Sequence, residues 1–117
     1  MAARQADTLR NKVLTSFQKH YPSRYEYMTK ALKSKVDSSF KETHRMGRHL
    51  QFELNLKFEN ITNEEVCDAS EEGYRNFPEM AGEILYVYLS QSNFNSPKVT
   101  YLSTTKDVSK YIVDVQL

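Results

Sequence analysis

The feature that most constrains this chain is the run Leu50-Gln-Phe52-Glu-Leu54-Asn-Leu56-Lys-Phe58-Glu59. Leu50, Phe52, Leu54, Leu56 and Phe58 alternate without a break with Gln51, Glu53, Asn55, Lys57 and Glu59. Successive side chains on a strand point to opposite faces, so the run is a half-buried strand; a helix would scatter the five apolar groups around its circumference. Such a strand belongs in an antiparallel sheet with one face covered and one face wet. Burying the five side chains contributes about 8–15 kcal/mol as an upper bound. A one-residue slip would put all of them in water, so the register is tightly specified.

A chain of 117 residues suits one domain spanning 1–117. Hydrophobic residues make up 39% and charged residues 26%, a balance that excludes disordered and fibrous classes. No apolar run reaches the length of a membrane span, and the N-terminal stretch lacks the apolar core of a signal peptide, so no membrane association is expected. A single cysteine, Cys67, excludes an intrachain disulfide and points to a reducing, cytoplasmic setting. Net charge is only +1, yet it is unevenly placed. Residues 1–48 hold eleven Lys/Arg against four Asp/Glu, while residues 49–117 hold five against eleven. That asymmetry suits a charged partner or the meeting of unlike faces in self-association.

Residues 3–20 have the spacing of an amphipathic helix, with Ala6, Leu9, Val13, Phe17 and Tyr21 on one stripe. Pro22 disfavours helical geometry at the residue before it and so predicts a stop. Ser23 with Glu26 has the form of a capping box, predicting a second helix that ends near Arg45 with Gly47 just beyond. Its stripe is Tyr25, Met28, Leu32, Val36 and Phe40. The two helices are expected to form an antiparallel or sharply bent pair. Thr62 with Glu65 spells another capping box and predicts a short helix over 63–74, with a weak apolar face. Residues 83–90, rich in Ile, Tyr and Val, are assigned to a strand, although a helix opened by Pro78 would also group Met80, Ile84, Val87 and Tyr88. Strands are expected over 98–103 and 110–117, separated by a loop. The predicted order is α-α-β-α-β-β-β, an α+β two-layer domain with the N-terminal helix pair on one face of a mainly antiparallel sheet of about four strands.

Few constellations suggest chemistry. His44 and His49 do not have the i,i+4 spacing of a helical zinc pair, and Cys67 has no Cys partner, so a lone cysteine is expected to act as a small buried hydrophobe. Gly47, Gly73 and Gly82 stand alone, which gives neither a phosphate loop nor a dinucleotide fingerprint. No cofactor and no metal site are predicted, and an enzyme would need a site assembled through space. Glu64, Glu65, Asp68, Glu71 and Glu72 crowd one short helix and form a candidate docking face for a basic partner. Lys19, Arg24, Tyr27, Lys30, Lys33 and Lys41 interleave basic and aromatic groups, as phosphate neutralisation and base stacking would require. Tyr21 and Tyr25 belong to the apolar stripes, which leaves Tyr27 as the ring expected to face solvent.

These features favour a small non-enzymatic protein acting through contacts with another protein, as an adaptor, inhibitor or assembly subunit. The alternative is a nucleic-acid-binding module using the basic helices. The alternating strand over 50–59 and the C-terminal strand, the latter with only Lys110 and Asp114 as charges and no proline, are the candidate sheet edges, and a homodimer or a partner pairing with the C-terminal strand is expected.

Overall fold

A computed structural model of the chain describes residues 12, 14–43, 49–92 and 94–116. Among the described residues, four helices and three strands follow one another. Helix α1 covers residues 14–20, α2 runs Pro22–Thr43, β1 His49–Lys57, α3 Asn63–Glu71, α4 Phe77–Ser90, β2 Asn95–Thr105 and β3 Val108–Gln116. The class is α+β, with the sheet antiparallel throughout and ordered β1-β3-β2.

Strand β1 alternates exposed and buried along its whole length, as its sequence dictates. Leu50, Leu54 and Leu56 are buried, as is Phe58 just past the strand end. Across from them on β3 lie Val115, Tyr111 and Ser109, and Phe52 faces Val113. All four β3 residues are buried, so the two strands supply one continuous apolar face. Helix α2 lies against β1 and α4 against β2, which puts the core between the helices and that face.

The predicted strand at 83–90 is part of α4. Asn76 caps this helix, its Oδ1 accepting from the Glu79 N–H at 2.9 Å, and Pro78 sits in the first turn, where its missing N–H costs nothing. The helix buries Phe77, Pro78, Met80, Ala81, Gly82, Ile84, Leu85, Val87 and Leu89. A helix covered on most of its circumference shows no narrow stripe, and its β-branched and aromatic residues then imitate a buried strand. Gly82 lets α4 approach the sheet. A Cβ there would lie 3.1 Å from Cε2 of Tyr111. The same Tyr111 donates its hydroxyl to the Pro78 carbonyl at 2.6 Å, which pins the start of α4 onto β3. Burial, and then the neighbouring Tyr101, push the Tyr111 hydroxyl well above the usual tyrosine range, so it remains a donor.

Helix α2 begins at Pro22 rather than at a Ser23 cap, and Ser23 lies in its first turn. Tyr21 is the single non-helical residue at the junction. Its N–H donates to the Phe17 carbonyl at 2.8 Å, and its own carbonyl accepts from the Tyr25 N–H at 2.9 Å. One residue therefore closes α1 and opens α2, which leaves no loop for a reversal. The junction is a bend. Met28, Leu32 and Val36 are buried as their spacing predicts, and Leu14 joins Phe17 in the core. Ala6, Leu9, Val13, Arg45 and Gly47 lie outside the described residues, and so do the side chains of Phe40 and Lys41.

The loop predicted over 104–109 contracts to a turn at Lys106 and Asp107, with Lys106 in the left-handed region at φ 57°. Both flanking strands are longer than expected as a result. Strand β3 is central, bonded to β1 on one side and β2 on the other. The expected edge position of the C-terminal strand is overturned, and with it edge pairing through that strand, because β3 has a neighbour on both sides. The edges belong to β1 and β2. On β2, Pro97 and two irregularities of register blunt the edge. On β1, the N–H of Phe58 donates to Asp107 on the β3 side, and the N–H of Lys57 donates outward to the Tyr27 hydroxyl at 2.8 Å.

Candidate functional site

The capping box at Thr62 forms as its sequence predicts. The Glu65 N–H donates to Thr62 Oγ1 at 3.1 Å, and the Thr62 N–H donates to Glu65 Oε1 at 2.9 Å. That exchange aims the Glu65 carboxylate inward, where it is 3% exposed, towards Arg24 on α2. Arg24 Nε donates to Glu65 Oε2 at 2.9 Å and Nη2 to Oε1 at 3.2 Å, a two-point pairing. Nη2 also donates to the Glu59 carbonyl at 2.8 Å. The guanidinium carbon lies 5.7 Å from the ring centres of both Phe58 and Phe77. Planar, always-charged arginine suits such a position, stacked on rings and forked onto a carboxylate.

Two residues assigned by sequence to opposite functional surfaces are thus each other's partner. Arg24 is withdrawn from the expected nucleic-acid face and Glu65 from the expected acidic docking face. Burial alone would raise the Glu65 pKa, but the Arg24 guanidinium and the Thr62 hydrogen bonds override it and hold the carboxyl below the usual range. A lowered folded-state pKa adds stability that is complete above the ordinary glutamate value and is lost as pH falls through the folded one. Glu65→Gln is therefore expected to be less stable than the parent near neutrality and to lose less between pH 5 and pH 3, by urea unfolding at each pH. Parallel pH profiles for the two proteins would show that Glu65 is not ionised and paired.

A second polar contact joins the same elements. The Tyr21 hydroxyl donates to the Asp68 carboxylate in a short hydrogen bond. Burial raises the Tyr21 pKa, and the Asp68 hydrogen bond and charge raise it further, so the hydroxyl keeps its proton. Beside this contact lies a cleft of about 230 Å³, lined by Ser16, Phe17 and His20 of α1, by Tyr21, by Asp68, Glu71 and Glu72 at the end of α3, and by Met80 of α4. Among the described residues, no Lys or Arg lines it. Glu64, Glu71 and Glu72 are exposed and make no ion pair among the described residues. The acidic face that remains is therefore Glu64, Asp68, Glu71 and Glu72, with an aromatic floor beside it. Ser16, His20 and Met80 have no place among the sequence-derived candidates. Ser16 and His20 do stand four apart on a helix, but what brings them to α3 is tertiary packing.

The basic candidates do not converge. Lys19 on α1 and Lys30 and Lys33 on α2 are exposed, and Lys30 lies 3.8 Å from Glu26 in a solvated pair of little energetic weight. Tyr27, 41% exposed, packs edge-on to Phe58 and uses its hydroxyl on the Lys57 N–H. On the wet face of the sheet, β1 presents His49, Gln51, Glu53, Asn55 and Lys57, and β3 presents Lys110, Ile112, Asp114 and Gln116. Those positions carry no Phe or Tyr on which a base could stack. Asp114 instead bridges His49 and Gln51, and Glu53 pairs with Lys110. Cys67 is exposed, not the buried hydrophobe expected of a lone cysteine. The described residues contain no His/Cys/Asp/Glu group able to hold a metal ion, and no described helix is long and apolar enough to cross a membrane.

No protein-family model matches the chain, and no curated protein or solved structure matches it either.

Proposed function

We propose that the protein is a non-enzymatic binding module that docks a basic segment of another protein on the acidic cleft between α1 and α3. The observation that carries this reading is the cleft itself: three carboxylates, an aromatic floor and, among the described residues, no Lys or Arg in the wall. A lysine or arginine side chain fits that chemistry, since carboxylates neutralise its charge and the Tyr21 ring offers a face for its stem. Nucleic-acid binding by the basic helices is the weaker alternative, because Arg24 and the Tyr27 hydroxyl are already engaged within the fold.

Titration of the full chain with a decalysine peptide, followed calorimetrically at low salt, tests the proposal. Binding is expected that weakens with salt and falls about tenfold in Glu71→Lys/Glu72→Lys, as reversing two charges at a contact implies. Absence of binding, or binding unmoved by the two reversals, removes the acidic cleft as the docking site. Retention on single-stranded DNA that is lost in Lys30→Glu/Lys33→Glu would favour the alternative.

A further inference from the structure

Helix α3 is fastened to the domain differently from the other helices. Only Glu65 and Ala69 of its nine residues are buried, and only Ala69 of those is apolar. By contrast, α4 buries nine. Both ends of α3 close from within. The Thr62–Glu65 box satisfies the N-terminus, and the N–H groups of Glu72, Gly73 and Tyr74 donate back to Asp68, Ser70 and Ala69. Its chain neighbours Asn60 and Gly73 sit in the left-handed region, at φ 55° and 89°. Two side-chain contacts tie the helix to the bend between α1 and α2: Glu65 to Arg24, and Asp68 to Tyr21. Arg24 also holds the Glu59 carbonyl, so the chain is anchored immediately before Asn60 whether or not Glu65 is bound. Beneath α3 lie the rings of Phe17, Tyr21, Phe58 and Phe77, packed on one another with centroids 5.5–6.0 Å apart.

We propose that α3 opens as one unit, hinged at residues 60 and 73, while the sheet, α2 and α4 stay folded, with the Arg24–Glu65 and Tyr21–Asp68 contacts as its two latches. Cooperative units that bury little apolar surface open at lower free energy than the core. Opening α3 takes Ala69 and the partly buried Ile61 off the core and parts α3 from α4, and the freed nine-residue helix, too short to persist alone in water, unravels and exposes its amides. It uncovers Arg24 and the Phe58–Phe77 rings, and it takes the cleft apart by removing Asp68, Glu71 and Glu72 from α1. The device does not depend on what the cleft binds.

Hydrogen exchange of the full chain, followed by NMR where exchange reports equilibrium opening, tests it. Amides of Val66 to Ala69 are expected to exchange at least ~100-fold faster than those of Val113 in β3 and Leu85 in α4, with little dependence on urea because little surface is exposed. Glu65→Gln and Asp68→Asn preserve side-chain shape, and each is expected to speed the α3 amides by about tenfold, the scale of losing a hydrogen bond to a charged group. Val113 and Leu85, which exchange by global unfolding, should speed by no more than the same factor and keep their steep dependence on urea. Equal protection of α3 and β3 would overturn the proposal. So would fast α3 exchange that neither variant changes, which would mean ordinary fraying, or α3 exchange as steeply dependent on urea as that of Val113, which would mean that α3 opens only with the whole domain.

Discussion

Leu54→Asp is expected to unfold the domain, and Asn55→Asp to leave it folded. The two positions are adjacent on β1 yet belong to different solvents. Leu54 is 4% exposed and lies opposite Tyr111, which is wholly buried. Truncating a core leucine already costs about 2–5 kcal/mol. Aspartate adds a carboxylate with no partner on the apolar face, and together the two terms reach the 5–15 kcal/mol that a typical domain has in hand. Asn55 instead lies opposite Lys110 on the wet face. Aspartate there loses the amide bond to Glu53 but gains an opposite charge across the strand, for a net change within about 0.5 kcal/mol. Thermal melts followed by circular dichroism decide the matter: comparable large losses would mean that β1 is buried on both faces.

The same contrast explains which parts of the fold were legible in the sequence. Strands β1 and β3 could be recognised because each has one wet face, so solvent is written into every second residue. The middle of α2 could be recognised for the equivalent reason, since Met28, Leu32 and Val36 bury while Lys33 and Lys35 do not. Helix α4 has no solvent face wide enough to leave a period, and a local signal, Asn76 ahead of Pro78, is the better guide to it than its apolar content. The sheet order could not be inferred, because burial on one face does not say which strands are neighbours.

The capping box at Thr62 was predicted in full, but its consequence for the candidate site was not. Glu65 serves the helix start with one oxygen and Arg24 with both, and nothing local reveals that a residue forty-one positions away waits beneath it. Arg24 looked like a surface cation for the same reason, because its aromatic supports, Phe58 and Phe77, come from distant parts of the chain.

Arg24→Ala is the second substitution expected to have a large effect, and for a residue that resembled a ligand contact the effect falls on stability. Arg24 is 21% exposed and Glu65 3%, so the substitution strands a carboxylate inside the protein. Breaking a buried pair from one side costs about 3–5 kcal/mol, and losing the guanidinium from over each ring adds roughly 0.5–1 kcal/mol. The pair itself contributes much less, since both charges must first leave water. Arg24→Met combined with Glu65→Met is therefore expected to recover most of the loss. Urea unfolding of the parent, Arg24→Met, Glu65→Met and the double variant separates the cost of an orphaned charge from the worth of the pair. Local opening adds a limit. If α3 swings out as proposed, the orphaned Glu65 reaches water with it, and the global loss settles near the low end of the range while the α3 amides lose most of their protection. Lys33→Ala, at an exposed lysine on the same helix, should change stability by no more than about 0.5 kcal/mol. A small loss for Arg24→Ala with α3 still protected would mean that Glu65 is solvated in place, and both the buried pair and its role as a latch would fall together.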